Sequence, residues 1–153
     1  MTIDNHSSDG PGDAAAPHAA GAAAEPRSLP RKGRLLVVDD EPQIGNTLRL
    51  LLDPDHEVIP VTNARDAFAK IASAGPFDII FCDLMMPDVN GIEFYRALVK
   101  TAPELRDRLV FMTGGVFSQK TNDFLDTVSN TCIEKPFDIA ALMRLIRERV
   151  ASR

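Results

Sequence analysis

Five residues of this chain could act together in chemistry, and each stands at or just after the end of a short apolar segment. They are, in chain order, Asp39, Asp40, Asp83, Thr113 and Lys135. Asp83 ends the run Phe77–Asp83, and an apolar run bounded by turn signals indicates a strand buried on both faces of a parallel sheet. Because open α/β sheets bind ligands at the carboxyl ends of their strands, we expect these side chains to form one site.

The residue types predict what that site could hold. Carboxylates crowded into one crevice do not all stay ionised unless a cation joins them. Asp39, Asp40 and Asp83 offer hard oxygen ligands with no accompanying imidazole or thiolate, and such a donor set favours Mg²⁺. Lys135 adds a positive charge and Thr113 a hydroxyl donor. The set therefore predicts a site that places a phosphoryl group on a carboxylate.

Five predicted strands alternate strictly with five predicted helices. The strands are residues 35–38, 56–61, 77–83, 109–112 and 131–134, and helices are expected after Pro42, Asn63, Gly91, Ser118 and Asp138. In the first helix Ile44, Leu48 and Leu51 recur at helical spacing. Helix-length connections require parallel pairing with right-handed crossovers. The class is therefore α/β, and a flavodoxin-like, doubly wound sheet in the order 2-1-3-4-5 is the simplest arrangement.

Composition divides the chain into a biased segment and one domain. Residues 1–33 are dominated by Ala, Gly, Pro and Ser and are predicted to be disordered, whereas residues 34–153 carry the strand and helix pattern.

The net charge of −5 disfavours binding to nucleic acid. No apolar run is long enough for a membrane span, and the N-terminus lacks a signal peptide, which predicts a cytoplasmic protein. Cys82 and Cys132 are both predicted in buried strands, without a disulfide.

Four segments resemble the motifs of response regulator receiver domains of two-component signalling. They are Val37–Glu41, Asp83–Gly91, Met112–Gly114 and Glu134–Phe137. The likeness extends over about residues 34–150, and its four motifs follow four different predicted strands in the right order. One such motif alone is common among proteins, but the ordered set is specific.

The resemblance implies a role for each residue of the site. Asp83 would be the phosphoacceptor that takes a phosphoryl group from a phosphohistidine. Asp40 would bind Mg²⁺ directly, Asp39 through water, and Met85 through its backbone carbonyl. Thr113 and Lys135 would hold the phosphoryl oxygens, and a cis peptide bond between Lys135 and Pro136 would direct the lysine toward Asp83.

The resemblance also implies partners and a slow reaction. The phosphodonor would be a histidine kinase or a histidine phosphotransfer protein, and the output an unknown protein target. Beyond accepting and slowly losing the phosphoryl group, no enzymatic activity is expected. Met85 and Gly115 would flank the approach of the hydrolytic water. Cys132 stands where many receiver domains have Tyr or Phe, which argues against an aromatic switch at that position.

Three other functions fit parts of the pattern. A non-phosphorylated adaptor could use the same scaffold, although the intact acidic set argues against it. A Mg²⁺-dependent phosphatase of the haloacid dehalogenase type would carry a second acid where Met85 stands. A flavodoxin-like cofactor binder would be repelled by Asp39–Glu41. The last helix ends near Arg153, so we expect output through protein contacts, or a module cut from a hybrid sensor kinase.

Overall fold

The structure, a computed structural model, describes residues 30–152. The predicted disorder of residues 1–33 therefore lies almost entirely outside the described residues. The five strands are β1 Gly33–Val38, β2 His56–Val61, β3 Ile79–Asp83, β4 Leu109–Thr113 and β5 Cys132–Glu134. The five α-helices are α1 Pro42–Leu52, α2 Ala64–Ala74, α3 Gly91–Thr101, α4 Gln119–Thr127 and α5 Ile139–Ala151. A sixth helical segment, the 3₁₀ helix Pro103–Arg108, was not predicted.

The strands form one parallel sheet in the order β2-β1-β3-β4-β5, which confirms the predicted flavodoxin-like arrangement. The register between β1 and β3 pairs Val38 with Cys82. The next residues along these two strands are Asp39 and Asp83. Because neighbouring parallel strands lie about 5 Å apart, this register alone brings the two carboxylates together.

Side chains that alternate along each strand build two hydrophobic cores, one on each face of the sheet. Leu36 and Val38 belong to the core covered by α2, α3 and α4, whereas Leu35 and Val37 belong to the core covered by α1 and α5. The strands between these two layers are buried on both faces, as their apolar sequences predict. The rigid sheet therefore fixes the positions of its strand ends.

Capping residues define where the helices begin on the carboxyl side of the sheet. Asn63, Ser118 and Asp138 each accept a hydrogen bond from a backbone N–H of the first turn that follows. Asn90 forms a capping box with Glu93, in which each side chain accepts from the other residue's backbone N–H. These caps satisfy amide donors that would otherwise lack partners at the helix ends.

One prediction about side-chain burial is wrong. Cys132 is exposed, because β5 is a three-residue strand at the edge of the sheet, whereas Cys82 is buried as predicted. In α1 the buried residues include Leu48 and Leu52, while Leu51 is 38% exposed. Leu51 fits the apolar spacing but lies at the margin of the stripe that faces the sheet.

No helix among residues 30–152 has the length and apolar character that a membrane span requires.

Candidate functional site

Three carboxylates meet at the carboxyl edge of the sheet. Asp39 and Asp40 follow β1, and Asp83 is the last residue of β3. One oxygen from each of the three lies within 4.8 Å of the others. Asp39 and Asp83 are buried, and Asp40 is half-buried. This is the arrangement that the predicted strand order requires.

Lys135 joins two of these carboxylates. Its Nζ atom lies 2.5 Å from Asp39 Oδ2 and 3.3 Å from Asp83 Oδ2. The longer contact is a hydrogen bond, whereas the shorter one is an ion pair whose angles do not fit a hydrogen bond. The Lys135–Pro136 peptide bond is cis, which confirms that prediction.

The loop after β3 contacts Asp83 through its backbone. The Met85 N–H donates a hydrogen bond to Asp83 Oδ1 at 3.1 Å, while the Met85 side chain is 63% exposed. The loop closes where the Gly91 N–H donates to the Leu84 carbonyl at 3.2 Å. The backbone of Met85 is thus adjacent to the Asp83 carboxylate.

Thr113 ends β4 and is buried at the same edge of the sheet. Its backbone carbonyl accepts a hydrogen bond of 2.6 Å from the Lys135 N–H. This contact links the ends of β4 and β5 and fixes the main chain from which the Lys135 side chain extends. Gly114 follows directly, and a Cβ built on it would be 3.6 Å from Lys135 Cδ, an ordinary van der Waals distance.

Burial and neighbouring charge shift the titration of two groups in the site. Burial raises the pKa of Asp83, the Met85 N–H lowers it, Asp39 raises it and Lys135 lowers it, with a net rise. For Lys135, burial lowers the pKa, but its short contact with Asp39 and the negative charges of Asp83 and Asp39 more than offset that effect, so the pKa is raised. The lysine is therefore held in its charged form by the carboxylates that it contacts.

The donor set fits a hard divalent cation. Asp39 Oδ1 accepts the Glu41 N–H at 2.9 Å, whereas Asp39 Oδ2 is buried, accepts no hydrogen bond among the described residues and has only the charge of Lys135 beside it. A buried carboxylate oxygen without such a partner is costly unless a cation compensates it. Oxygen-only ligands at this spacing suit Mg²⁺, which keeps several of its waters when bound.

Gly91 is a structural requirement of the site that the residue-by-residue prediction missed. A Cβ at this position would lie 2.6 Å from the Asp83 backbone oxygen and 2.8 Å from Leu84 Cα. The start of α3 therefore packs directly on the backbone of Asp83 and Leu84. The Asn-Gly pair at a predicted helix start is the signal that could have identified it.

Most of the described chain matches one known protein family. The family model described as the response regulator receiver domain matches residues 35–147. The chain belongs to the response regulator receiver family. Receiver domains are in general signalling modules of two-component systems rather than enzymes. This receiver domain carries its acidic cluster and Lys135 at the edge where its strands end.

Curated relatives of this receiver domain are longer proteins. The transcriptional regulatory protein YkoG of Bacillus subtilis is 28% identical over 116 residues, which cover 76% of this chain and 50% of that protein. The response regulator ArlR of Staphylococcus epidermidis is 29% identical over 115 residues, which cover 74% of this chain and 50% of that protein. The chain thus spans about half the length of the curated relatives that it matches first.

Solved structures share the fold of this receiver domain. The receiver domain of the Francisella response regulator 1452 aligns with a TM-score of 0.65 at 20% identity, covering 79% of this chain and 98% of that chain. The signal receiver domain of a histidine kinase from Syntrophus aciditrophicus aligns with a TM-score of 0.67 at 23% identity. The alignment covers 78% of this chain and 91% of that chain. At these identities the likeness concerns the fold.

Proposed function

We propose that this receiver domain accepts a phosphoryl group on Asp83 from the phosphohistidine of a histidine kinase or a histidine phosphotransfer protein. The observation that carries the proposal is the position of Asp83: it ends a central strand, with two further carboxylates within 4.8 Å and the Lys135 ammonium 3.3 Å away. A carboxylate in such a setting can act as a nucleophile while nearby positive charge neutralises the incoming phosphoryl oxygens.

In the proposed reaction an Asp83 carboxylate oxygen attacks phosphorus and forms an acyl phosphate. The bond between phosphorus and the donor imidazole nitrogen breaks, and its electron pair stays on that nitrogen. The Met85 N–H, which donates to Asp83 Oδ1, orients the carboxylate for attack through Oδ2. Lys135, and the hydroxyl of Thr113 at the end of β4, would stabilise the charge that develops on the phosphoryl oxygens.

Asp40, Asp39 and Asp83, together with the backbone carbonyl of Met85, would hold Mg²⁺. We infer a direct contact from Asp40 and a water-mediated one from Asp39. When bound, Mg²⁺ supplies charge compensation for the carboxylates and the phosphoryl oxygens. The buried Asp39 Oδ2, which accepts no hydrogen bond among the described residues, and the oxygen-only donor set support this ligand assignment.

The output of the phosphorylated domain is proposed to run through protein contacts in the cytoplasm. The net charge of −5 supports a protein target rather than direct binding to nucleic acid by this domain. The names of the curated relatives describe transcriptional regulators, and this chain corresponds to about half their length.

Intact-mass analysis after incubation with Mg²⁺ and a small acyl phosphate tests the proposal. The wild-type chain should gain one phosphoryl group, and Asp83→Asn should gain none. Asp88→Asn is a matched control, because Asp88 is an exposed acid of the same loop and its positive φ of 66° is tolerated by Asn. Undiminished labelling of Asp83→Asn, or loss of labelling in Asp88→Asn alone, would contradict the assignment.

A further inference from the structure

We propose that His56 operates a proton-sensitive latch at the amino edge of the sheet, at the opposite end of the strands from the acidic site. The latch holds residues 30–33, here called the entry segment, against the last turn of α5 while the His56 imidazole is neutral. It opens when the imidazole takes up a proton. Residues 1–29 lead into the entry segment, so the latch controls how firmly they are attached to the fold. The inference goes beyond the proposed function and does not depend on it.

The contact that titrates lies at the start of β1. The Gly33 N–H donates a hydrogen bond to His56 Nδ1 at 3.1 Å, and His56 is 6% exposed. An imidazole nitrogen that accepts a hydrogen bond carries no proton, so the neutral ring has its hydrogen on Nε2. A proton added to Nδ1 would turn this acceptor into a second donor that faces the Gly33 N–H. The protonated ring and the Gly33 hydrogen bond therefore exclude each other.

Gly33 is also the point at which the entry segment packs on α5. A Cβ built on Gly33 would lie 2.5 Å from Val150 Cγ2 and 3.2 Å from His56 Nδ1. Because glycine has no side chain, the backbone at this position can approach the helix and the imidazole closely at the same time. Loss of the hydrogen bond to His56 therefore loosens the same residue that contacts α5.

Arg31 provides the second contact of the latch and joins the entry segment to two other elements. Its Nη2 donates to Asp78 Oδ1 at 2.7 Å and to the Val150 carbonyl at 3.1 Å. That carbonyl lies in the last turn of α5, where the helix itself leaves carbonyls without partners. The Arg31 side chain is 49% exposed, so solvent weakens its ion pair with Asp78. The Arg31 contacts therefore depend on Gly33, two residues later, to hold the backbone in place.

The charged groups around His56 set the pH range in which the latch opens. Burial lowers the pKa of His56 from 6.5, and Lys32 of the entry segment acts in the same direction. Asp55, just before β2, and Asp78, just before β3, oppose the shift and keep the protonated form accessible. The last turn of α5 faces the Gly33 contact with the apolar Val150. When the entry segment leaves, the ring becomes exposed to water and Lys32 moves away, so the open form binds the proton more tightly. A fall in pH below about 6.5 therefore favours the open latch.

Amide hydrogen exchange of the full chain, followed by NMR between about pH 7.5 and pH 5, tests the latch. After correction for the intrinsic pH dependence of exchange, the protection of the Gly33 amide should fall about tenfold per pH unit once the pH is below the ordinary pKa of histidine, because opening takes up one proton. At the higher pH, Gly33 should already open with a smaller free energy than Phe81 and Val110, which are paired in the middle of the sheet. Equal opening free energies would mean that the contact opens only with the whole fold. Protection of Gly33 that does not depend on pH would mean that His56 does not operate the contact. Either result overturns the inference.

Two substitutions separate the titration from the packing, and the wild-type measurement stands without either of them. His56→Gln keeps a side-chain acceptor but cannot titrate, so its Gly33 protection should stay constant over the same pH range. Arg31→Gln removes the charge that pairs with Asp78 and leaves His56 in place. In this variant Gly33 should lose protection several-fold at every pH, while the tenfold dependence on pH persists. A pH dependence that survives His56→Gln, or unchanged Gly33 protection in Arg31→Gln, would overturn the latch.

Discussion

Gly91 packs so closely on the backbone of Asp83 that a larger residue there should destabilise the fold, and the structure allows the loss to be estimated. In Gly91→Ala the added Cβ would lie 2.6 Å from the Asp83 oxygen and 2.8 Å from Leu84 Cα. Both atoms belong to the backbone, so neither can move aside as the end of a flexible side chain could. Overpacking of this kind costs about 1–3 kcal/mol, and the better helix propensity of Ala returns at most about 1 kcal/mol. We expect a net loss of about 1–2 kcal/mol in the free energy of unfolding.

Urea denaturation of the metal-free chain measures this loss as a lower midpoint with an unchanged slope. Gly115→Ala is the matched control, because a Cβ at Gly115 meets no atom within 4 Å, and its stability should stay within about 0.5 kcal/mol of wild type. Since the displaced atom is the carbonyl of Asp83, phosphoryl uptake by Gly91→Ala should also slow by about tenfold or more. A Gly91→Ala chain as stable as Gly115→Ala would refute the close-packing argument.

Three further predictions concern the metal, the lifetime of the phosphoryl group and a buried histidine. Asp40→Ala should weaken Mg²⁺ binding and slow phosphorylation. The variant should stay folded, because the substitution relieves the crowding of carboxylates. Calorimetry that gives the same Mg²⁺ affinity for wild type and variant would refute the ligand role. Met85→Asn should speed loss of the phosphoryl group, because an exposed amide can orient water where the thioether cannot; unchanged decay by intact mass would count against this. Burial lowers the pKa of His56 from 6.5, although Asp55 and Asp78 oppose the shift, so the unfolded chain binds the extra proton more readily. Stability should fall as the pH drops below about 6.5, and His56→Gln should flatten that part of the profile measured by urea denaturation.

The sequence was sufficient for the fold because each strand and cap carries its own local signal. Apolar runs such as Leu35–Val38 predict strands buried on both faces, and capping residues such as Asn63 and Asp138 mark the helix starts. What the sequence could not predict depends on how far neighbouring elements extend. Cys132 is apolar enough for a core position, but the edge strand that carries it is left uncovered on one side.

The sequence predicted which residues lie together at the site, but not which carboxylate lies closer to Lys135. Strand order places β3 between β1 and the β4–β5 pair, so topology alone makes Asp83, rather than Asp39, the expected partner of Lys135. The structure shows contacts with both and the shorter one with Asp39. Each carboxylate accepts one backbone N–H on Oδ1, from Glu41 for Asp39 and from Met85 for Asp83, which leaves both Oδ2 atoms to face the lysine. The backbone donors thus determine which oxygen of each carboxylate pairs with Lys135, and those donors depend on loop geometry that residue types do not encode.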